Sequence, residues 1–284
     1  MCARSGRQNA GYTTEPFTRL RRAALDLAVS ERKHVIHALL EVEVTRPRQL
    51  LREHEARTGE ALSFTGFVIG CVARAVDEQK SVQGYRQGRG RLVLFDDVDV
   101  TMLMERTVDG QRRPLFHIIR AANRKSLREL HQEIRAAQAQ PAVTPGGRWG
   151  LRAYELVPGF ARRAAIRFAH AHPRLWKRFG GTVAVTSVGM FGRARGWGIP
   201  VISNTLDVTV GGITSKPESA ESERGREWLC LTISVDHDIV DGAPLARFAI
   251  RLKTLIESAY GMEDLAPRGE TATAQAPEKA GTAP

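Results

Sequence analysis

Apolar and polar residues alternate in Leu231-Thr232-Ile233-Ser234-Val235, the pattern of a strand with two unlike faces, and the alternation stops at Asp236-His237. From Ala243 to Ser258 the apolar positions recur at helical spacing, so His237 falls on the turn between a strand and a helix. Read the same way, the chain before it predicts helix 19–29, strand 34–44, helices 46–57 and 64–80, strands 91–96 and 98–106, a turn at Asp109-Gly110, strand 114–120 and helix 124–139. Strands 183–188, 206–214 and 228–235 follow. This order predicts an α+β fold, a mixed β-sheet with helices packed on it. Residues 1–16 are polar and irregular, and residues 263–284 form an Ala/Pro/Thr/Glu/Gly tail with too little apolar content to fold. The pattern therefore predicts one folded domain over residues 17–262.

The turn after the last strand carries the most chemistry. His237 is followed four residues later by Asp241-Gly242, and an imidazole on such a turn can take a proton from a thiol or hydroxyl near neutral pH. Two other readings fit the same residues. One is a structural histidine at a strand end; the other is a metal ligand, which would need His237 and Asp241 on one helix face and a third donor nearby. Gly84, Gly88 and Gly90, interleaved with Arg86, Arg89 and Arg91, read as a phosphate-binding loop or as a solvated turn, and the lack of a following helix N-terminus favours the turn. Gly189, Gly192, Gly196 and Gly198 suit a turn that lets substrate approach the backbone closely, or a surface loop.

Composition narrows the setting. With 284 residues, 42% of them hydrophobic, the chain can bury one large core or two small ones. Cys2, Cys71 and Cys230 form no CxxC pair, the N-terminus lacks the apolar run of a signal peptide, and no 18 consecutive residues are apolar. These features predict a reducing, cytoplasmic setting and buried, unreactive cysteines. The formal net charge of +11 is concentrated: between Pro141 and Gly181 eight basic residues face a single acid, Glu155. Phe160, Ala164, Phe168, Leu175, Trp176 and Phe179 predict an apolar helix face, interrupted near Pro173, with Arg163, Arg167, Arg174 and Lys177 opposite. Such a segment suits a docked helix with a solvated basic face, or contact with a membrane surface or an acidic protein. No recognised motif accompanies the charge, so nucleic acid is not an expected partner.

A second motif stands upstream of His237: Gly180-Gly181-Thr182-Val183-Ala184-Val185-Thr186-Ser187-Val188-Gly189-Met190-Phe191-Gly192, then Ile199-Pro200 and the strand Leu206 to Ile213. Together with His237…Asp241-Gly242 it resembles the catalytic domain of the dihydrolipoamide acyltransferases of 2-oxo acid dehydrogenase complexes, a family with the chloramphenicol acetyltransferase-like fold. Thr18-Arg19-Leu20-Arg21-Arg22, Phe64-Thr65-Gly66-Phe67-Val68-Ile69 and Arg120 to Leu127 are similar to further stretches of that family. The resemblance covers residues 17–262 except for a basic insertion over 141–179.

The resemblance implies acyl transfer between coenzyme A and a thiol such as dihydrolipoamide, or another small acceptor, without a metal. His237 matches the family's general base. Thr186 matches its oxyanion-stabilising hydroxyl, with Ser187 as the alternative one position on. Asp241, paired with Arg21, would hold the histidine turn together with Gly242, and Gly189 and Gly192 would line the substrate channel. The resemblance also implies a homotrimer or higher homo-oligomer with the histidine and hydroxyl drawn from neighbouring subunits. The basic insertion then gains a third use, attracting the CoA phosphates. Two departures stand out: Asp238 occupies the place of the family's usual arginine, and no lipoyl domain is recognisable, so a lipoyl group is expected from another protein. The competing expectation is a catalytically silent relative that binds dehydrogenase subunits or, through the insertion, a membrane.

Overall fold

In the computed structural model the described residues are 8–9, 12–13, 26, 33–88, 90–108, 111–139, 156–188, 196–217 and 225–265. β1 (Gln8–Asn9) and β2 (Tyr12–Thr13) form a short antiparallel ladder, and β4 (Tyr85–Gln87) and β5 (Arg91–Val93) form another. The longest alternating stretches assemble the main sheet. They are β3 (Val35–Glu43), β6 (Val100–Val108), β7 (Gln111–Ile119), β8 (Val183–Ser187), β9 (Leu206–Pro217) and β10 (Gly225–Asp236), ordered β3-β10-β9-β8-β6-β7. β8 runs parallel to β6 and β9 and the other pairings are antiparallel, so the sheet is mixed, as the α+β reading requires.

Period-two alternation sorts the sheet into two faces. On one, Val183 and Val185 align with Leu206 and Val208, then with Ile233 and Val235 and with Ala38 and Ile36 of β3. Helices α2 (Phe64–Glu78) and α6 (Gly242–Glu257) cover that face, burying Phe67, Ile69, Phe248, Leu252 and Ile256. α2 starts where Ser63 Oγ accepts the Gly66 N–H at 3.1 Å, satisfying one orphan donor of its first turn. α1 (Thr45–Thr58) and α3 (Leu127–Ala139) complete this layer. α3 opens on a capping box, in which the Ser126 N–H donates to Glu129 Oε2 at 2.7 Å and Glu129 N–H donates back to Ser126 Oγ at 3.3 Å.

Two glycines explain the start of β8. Gly181 has φ +70°, and a Cβ there would lie 2.5 Å from Thr101 Oγ1 and 2.7 Å from the Asp99 carbonyl. A side chain at 180 would strike the Trp176 ring. Thr182 then locks the crossing, since its hydroxyl accepts the Asp99 N–H at 3.0 Å.

The described part of the basic insertion forms α4 (Gly159–Ala171) and α5 (Pro173–Gly180), with the break at Pro173 where the sequence predicts it. Trp176 anchors the pair: its Nε1 donates to Asn204 Oδ1 at 3.0 Å and to the Tyr85 hydroxyl at 3.1 Å, and His170 stacks on its ring at 3.7 Å. Arg120 donates to the Lys177 and Arg178 carbonyls at 2.8 and 2.5 Å, capping the end of α5. The predicted division of faces is wrong. Phe160, Ala164 and Phe168 do share a side of α4, but Arg163 and Arg167 share it with them, and it points to solvent. Burial of His170, Pro173 and Trp176 decides the orientation.

Other departures are local. The glycine-rich stretch at 84–90 is the β4–β5 hairpin, held by buried Tyr85, and carries no helix start. β9 and β10 each run about three residues beyond their predicted hairpin ends. Leu265 is buried, so packing continues past residue 262. The predicted helix 19–29 lies outside the described residues apart from Asp26, whose carboxylate pairs with Arg162 at 2.8 Å. Replacing Gly181 by alanine should cost about 2 kcal/mol or more, through both its φ and the missing space, whereas Gly90→Ala, which meets nothing within 4 Å, should cost less than about 0.5 kcal/mol. Urea unfolding midpoints of the two variants check this.

Candidate active site

The second face of the sheet is polar and still largely buried. One row across it reads Phe116, Leu103, Thr186, Thr209, Thr232, Leu39; the next reads Thr101, Ala184, Asp207, Ser234, His37. Thr186 is therefore the end of a hydroxyl row, next to Leu103 and half-buried, while Ser187 alternates to the opposite side. The Thr209 and Thr232 hydroxyls are buried and have no hydrogen-bond partner among the described residues. The row ends at both edge strands in exposed apolar side chains, Leu39 at 51% and Phe116 at 67% of full exposure.

The next row is held by side-chain bonds. The Ser234 hydroxyl and His37 Nδ1 share a hydrogen bond of 2.8 Å. Asp207 accepts the N–H groups of Ser203 at 3.2 Å and Asn204 at 3.4 Å. Burial pushes its carboxyl up to about 7, against these two bonds and the charge of Lys33, which pull it down.

His237 sits on the tight turn that ends β10. Its N–H donates to the His34 carbonyl at 2.7 Å. The Asp236 carbonyl accepts from both Ile239 and Val240 at 3.0 Å, and the Asp236 carboxylate accepts from Asp238 N–H at 3.2 Å and pairs with Lys33 at 3.7 Å. Asp236 and the start of β3 thus fix the turn. The Asp241 carboxylate is 3.9 Å from His237 Nδ1, and the two side chains are 82% and 48% exposed. Gly242 opens α6, and a Cβ there would meet nothing within 4 Å, so the turn does not need a glycine for space. Arg21, Gly189 and Gly192 lie outside the described residues. Asp238 turns to His34 Nδ1 at 2.9 Å, and that bond, with lesser help from Arg86 and His237, holds its carboxyl below the usual range.

Register fixes the spacing of the two candidate groups. Thr186 aligns with Thr209 and Thr209 with Thr232, five residues before His237. Two strand spacings sideways and five residues along the strand separate His237 from Thr186 by on the order of 20 Å within one copy. A cavity of about 330 Å³ opens beside the His237 turn, lined by Lys33, Arg86, Arg167, His170, Asp236 and Asp238 among others.

Lys33, His34, Asp236 and the Thr209–Thr232 pair are absent from the sequence-predicted site. The alternation of Asp207 and Thr209 with Leu206, Val208 and Val210 signals the polar face, but nothing in one sequence aligns that strand with Thr186.

Residues 177–263 match the family described as 2-oxoacid dehydrogenases acyltransferase (catalytic domain), a span that contains both the Thr186 strand and the His237 turn. Over that span the chain is similar to that catalytic domain. It is 23% identical over 257 residues, 88% of its length, to the lipoamide acyltransferase component of the branched-chain alpha-keto acid dehydrogenase complex of Bacillus subtilis, and spans 53% of that protein. Its fold is similar to the crystal structure of a probable dihydrolipoamide acetyltransferase from Listeria monocytogenes, with a TM-score of 0.63, 21% identity and coverage of 88% of this chain and 97% of that one. Chloramphenicol acetyltransferase has a similar fold at a TM-score of 0.51 and 16% identity, covering 85% and 96% of the respective chains. The α+β architecture is thus similar to that of these structures, chloramphenicol acetyltransferase included. Among the described residues no helix is long and apolar enough to cross a membrane.

Asp207 gives the site a pH signature. From about pH 4 to about pH 7 the unfolded chain releases the proton that folded Asp207 retains, so its contribution to stability falls as pH rises through that window. Asp207→Asn should flatten that part of the profile, measured as urea midpoints across the range.

Proposed function

We propose that the chain is an acyltransferase moving an acyl group between coenzyme A and a thiol such as dihydrolipoamide, or another small acceptor. The observation that carries this reading is the family match over 177–263, which holds the Thr186 strand and the His237 turn in one fold. The half-exposed imidazole of His237 takes the acceptor's proton, because a thiol with a pKa above about 8 is mostly protonated at neutral pH. The thiolate attacks the thioester carbonyl, and the tetrahedral oxyanion accepts a hydrogen bond from the Thr186 hydroxyl, a contribution of about 3 kcal/mol. Collapse breaks the carbon–sulfur bond to CoA, and the imidazolium returns the proton to the departing thiolate. Ser187 alternates away from the hydroxyl row, which favours Thr186 as donor. Lys33, Arg86 and Arg167 at the cavity beside the turn suit a substrate that carries phosphates.

The active species in this reading is a homo-oligomer, most simply a trimer. Groups some 20 Å apart in one copy cannot act on one carbonyl, whereas His237 of one copy and Thr186 of the next can. The exposed Leu39 and Phe116 at the ends of the hydroxyl row supply apolar surface for such contacts. Arg21 and Asp241 act as structural support, Gly189 and Gly192 line the channel, and a lipoyl-bearing protein and dehydrogenase subunits are the partners. A folded domain that starts near residue 17 and continues to Leu265, with flanking segments 1–16 and 266–284, and a cytoplasmic setting belong to the same reading.

His237→Ala should lower thiol release from acetyl-CoA, with dihydrolipoamide and a panel of small acceptors, by at least about a hundredfold while leaving the fold intact. Binding to dehydrogenase subunits without any turnover by the unaltered chain would instead identify a silent relative. Thr186→Ala should lower kcat by about a hundredfold with little change in KM, and the same loss in Ser187→Ala would move the donor by one residue. Mixing the two inactive proteins, His237→Ala and Thr186→Ala, under subunit exchange should restore partial activity, because some interfaces then carry both native groups. Full turnover by a monomer in light scattering would overturn the oligomeric site.

A further inference from the structure

The outer face of α4 and α5 is basic. The two helices hold six Lys and Arg and no Asp or Glu, and of the six Arg162 pairs with Asp26 and Lys177 lies 3.9 Å from Asp99. At helical spacing Phe160, Arg163, Ala164 and Phe168 fall on one side of α4, and all four are exposed, while Arg167 and Ala171 further along line the cavity beside the His237 turn. Phe160 and Phe168 are 72% and 59% exposed, and Phe179, at the end of α5, projects from the same helix pair. The opposite side is fixed to the domain through Trp176, so the outer face is held rigid rather than free to fold under.

We propose that this face binds the surface of an anionic lipid bilayer, with its phenylalanines in the interfacial layer and its arginines on lipid phosphates. Charge weighs against the other occupants within reach. A second copy that used the same face would set two basic faces against each other. Residues 1–32 carry six Arg against three acids, and residues 266–284 carry two basic and two acidic residues, so neither offers net negative charge. Pro217 and Gly225, which flank the acid-rich stretch 218–224, stand at the far end of the 12-residue strands β9 and β10, about 35–40 Å from the strand ends beside α5. Bilayer chemistry fits the remaining features. The rings stand apart on a convex helix rather than in a groove, and fluid lipid receives each one separately, whereas a protein partner would need a matching set of pockets. Alternating aromatic and guanidinium groups match the apolar and phosphate layers of an interface. The attachment proposed is peripheral, made by the exposed side chains of this face. It does not depend on the acyltransferase reading.

The test is co-sedimentation of the full chain with vesicles of phosphatidylcholine alone or with about one third phosphatidylglycerol, at low salt and at about 0.5 M salt. Binding to the anionic vesicles should be at least about tenfold tighter and should be lost in high salt. Phe160→Ser with Phe168→Ser, and separately Arg163→Gln with Arg174→Gln, should each weaken binding about tenfold or more, while Arg247→Gln on exposed α6 should not. All of these positions are exposed, so the variants should keep the native circular dichroism. Equal binding to neutral vesicles, no binding to anionic ones, or the same loss in Arg247→Gln would overturn the proposal. Retention on immobilised polyglutamate without retention on anionic vesicles would also overturn it, in favour of an acidic protein.

Discussion

Strand β9 is covered on both sides, with every residue from Leu206 to Gly212 buried, and this leaves its polar side chains few places to go. Asp207 and Thr209 cannot reach bulk water; backbone N–H groups of Ser203 and Asn204 meet the carboxylate, while the Thr209 hydroxyl has no partner among the described residues. Register does the rest. Because β9 stands between β8 and β10, the same constraint places Thr186 and Thr232 on either side of Thr209 and aligns Ala184, Asp207 and Ser234. The polar face is therefore assembled by the pairing that builds the apolar core beneath it. A slip of one residue would exchange the two faces, putting Val208 and Ile233 where the hydroxyls stand.

The His237 turn inherits its position from the same sheet. β10 ends at Asp236, whose carbonyl gathers two N–H groups and whose carboxylate faces Lys33 from the neighbouring strand's start. Desolvating that carboxylate would be unfavourable without these partners, so Asp236 ties the turn to β3 as well as to its own strand. The imidazole stays half-exposed on a fixed backbone, which suits a group that must exchange protons repeatedly.

Strands and helices with strong periodicity were legible in the sequence: α2, α6 and the cores of β3, β9 and β10 lie where alternation or helical spacing places them. The break of the basic insertion at Pro173 was equally legible, since proline ends a helix for local reasons. Its orientation was not. A helix with phenylalanine and arginine at mixed spacing has two plausible inner sides, and Trp176 chooses between them by reaching Tyr85 and Asn204, 91 and 28 residues away in sequence. The histidine turn was found by its residue pattern, but the bonds that hold it come from Lys33 and His34 some two hundred residues earlier. Local pattern reveals elements and reactive groups; distant partners require the fold.

The Trp176 anchor also says what kind of addition the helix pair is. Asn204 Oδ1 accepts from both Tyr85 and Trp176, and its amide donates to the Gly180 carbonyl at 3.1 Å, immediately before the tight Gly181 crossing into β8. Excising residues 156–179 would uncover the Tyr85 ring, strip the Asn204 carbonyl of a donor and loosen the lead-in to the strand that carries Thr186. The pair is thus integrated, not grafted. A homologous chain with a short loop at this place should have dispensed with the Tyr85–Asn204 combination as well, so these two positions and the helix pair are expected to be gained or lost together.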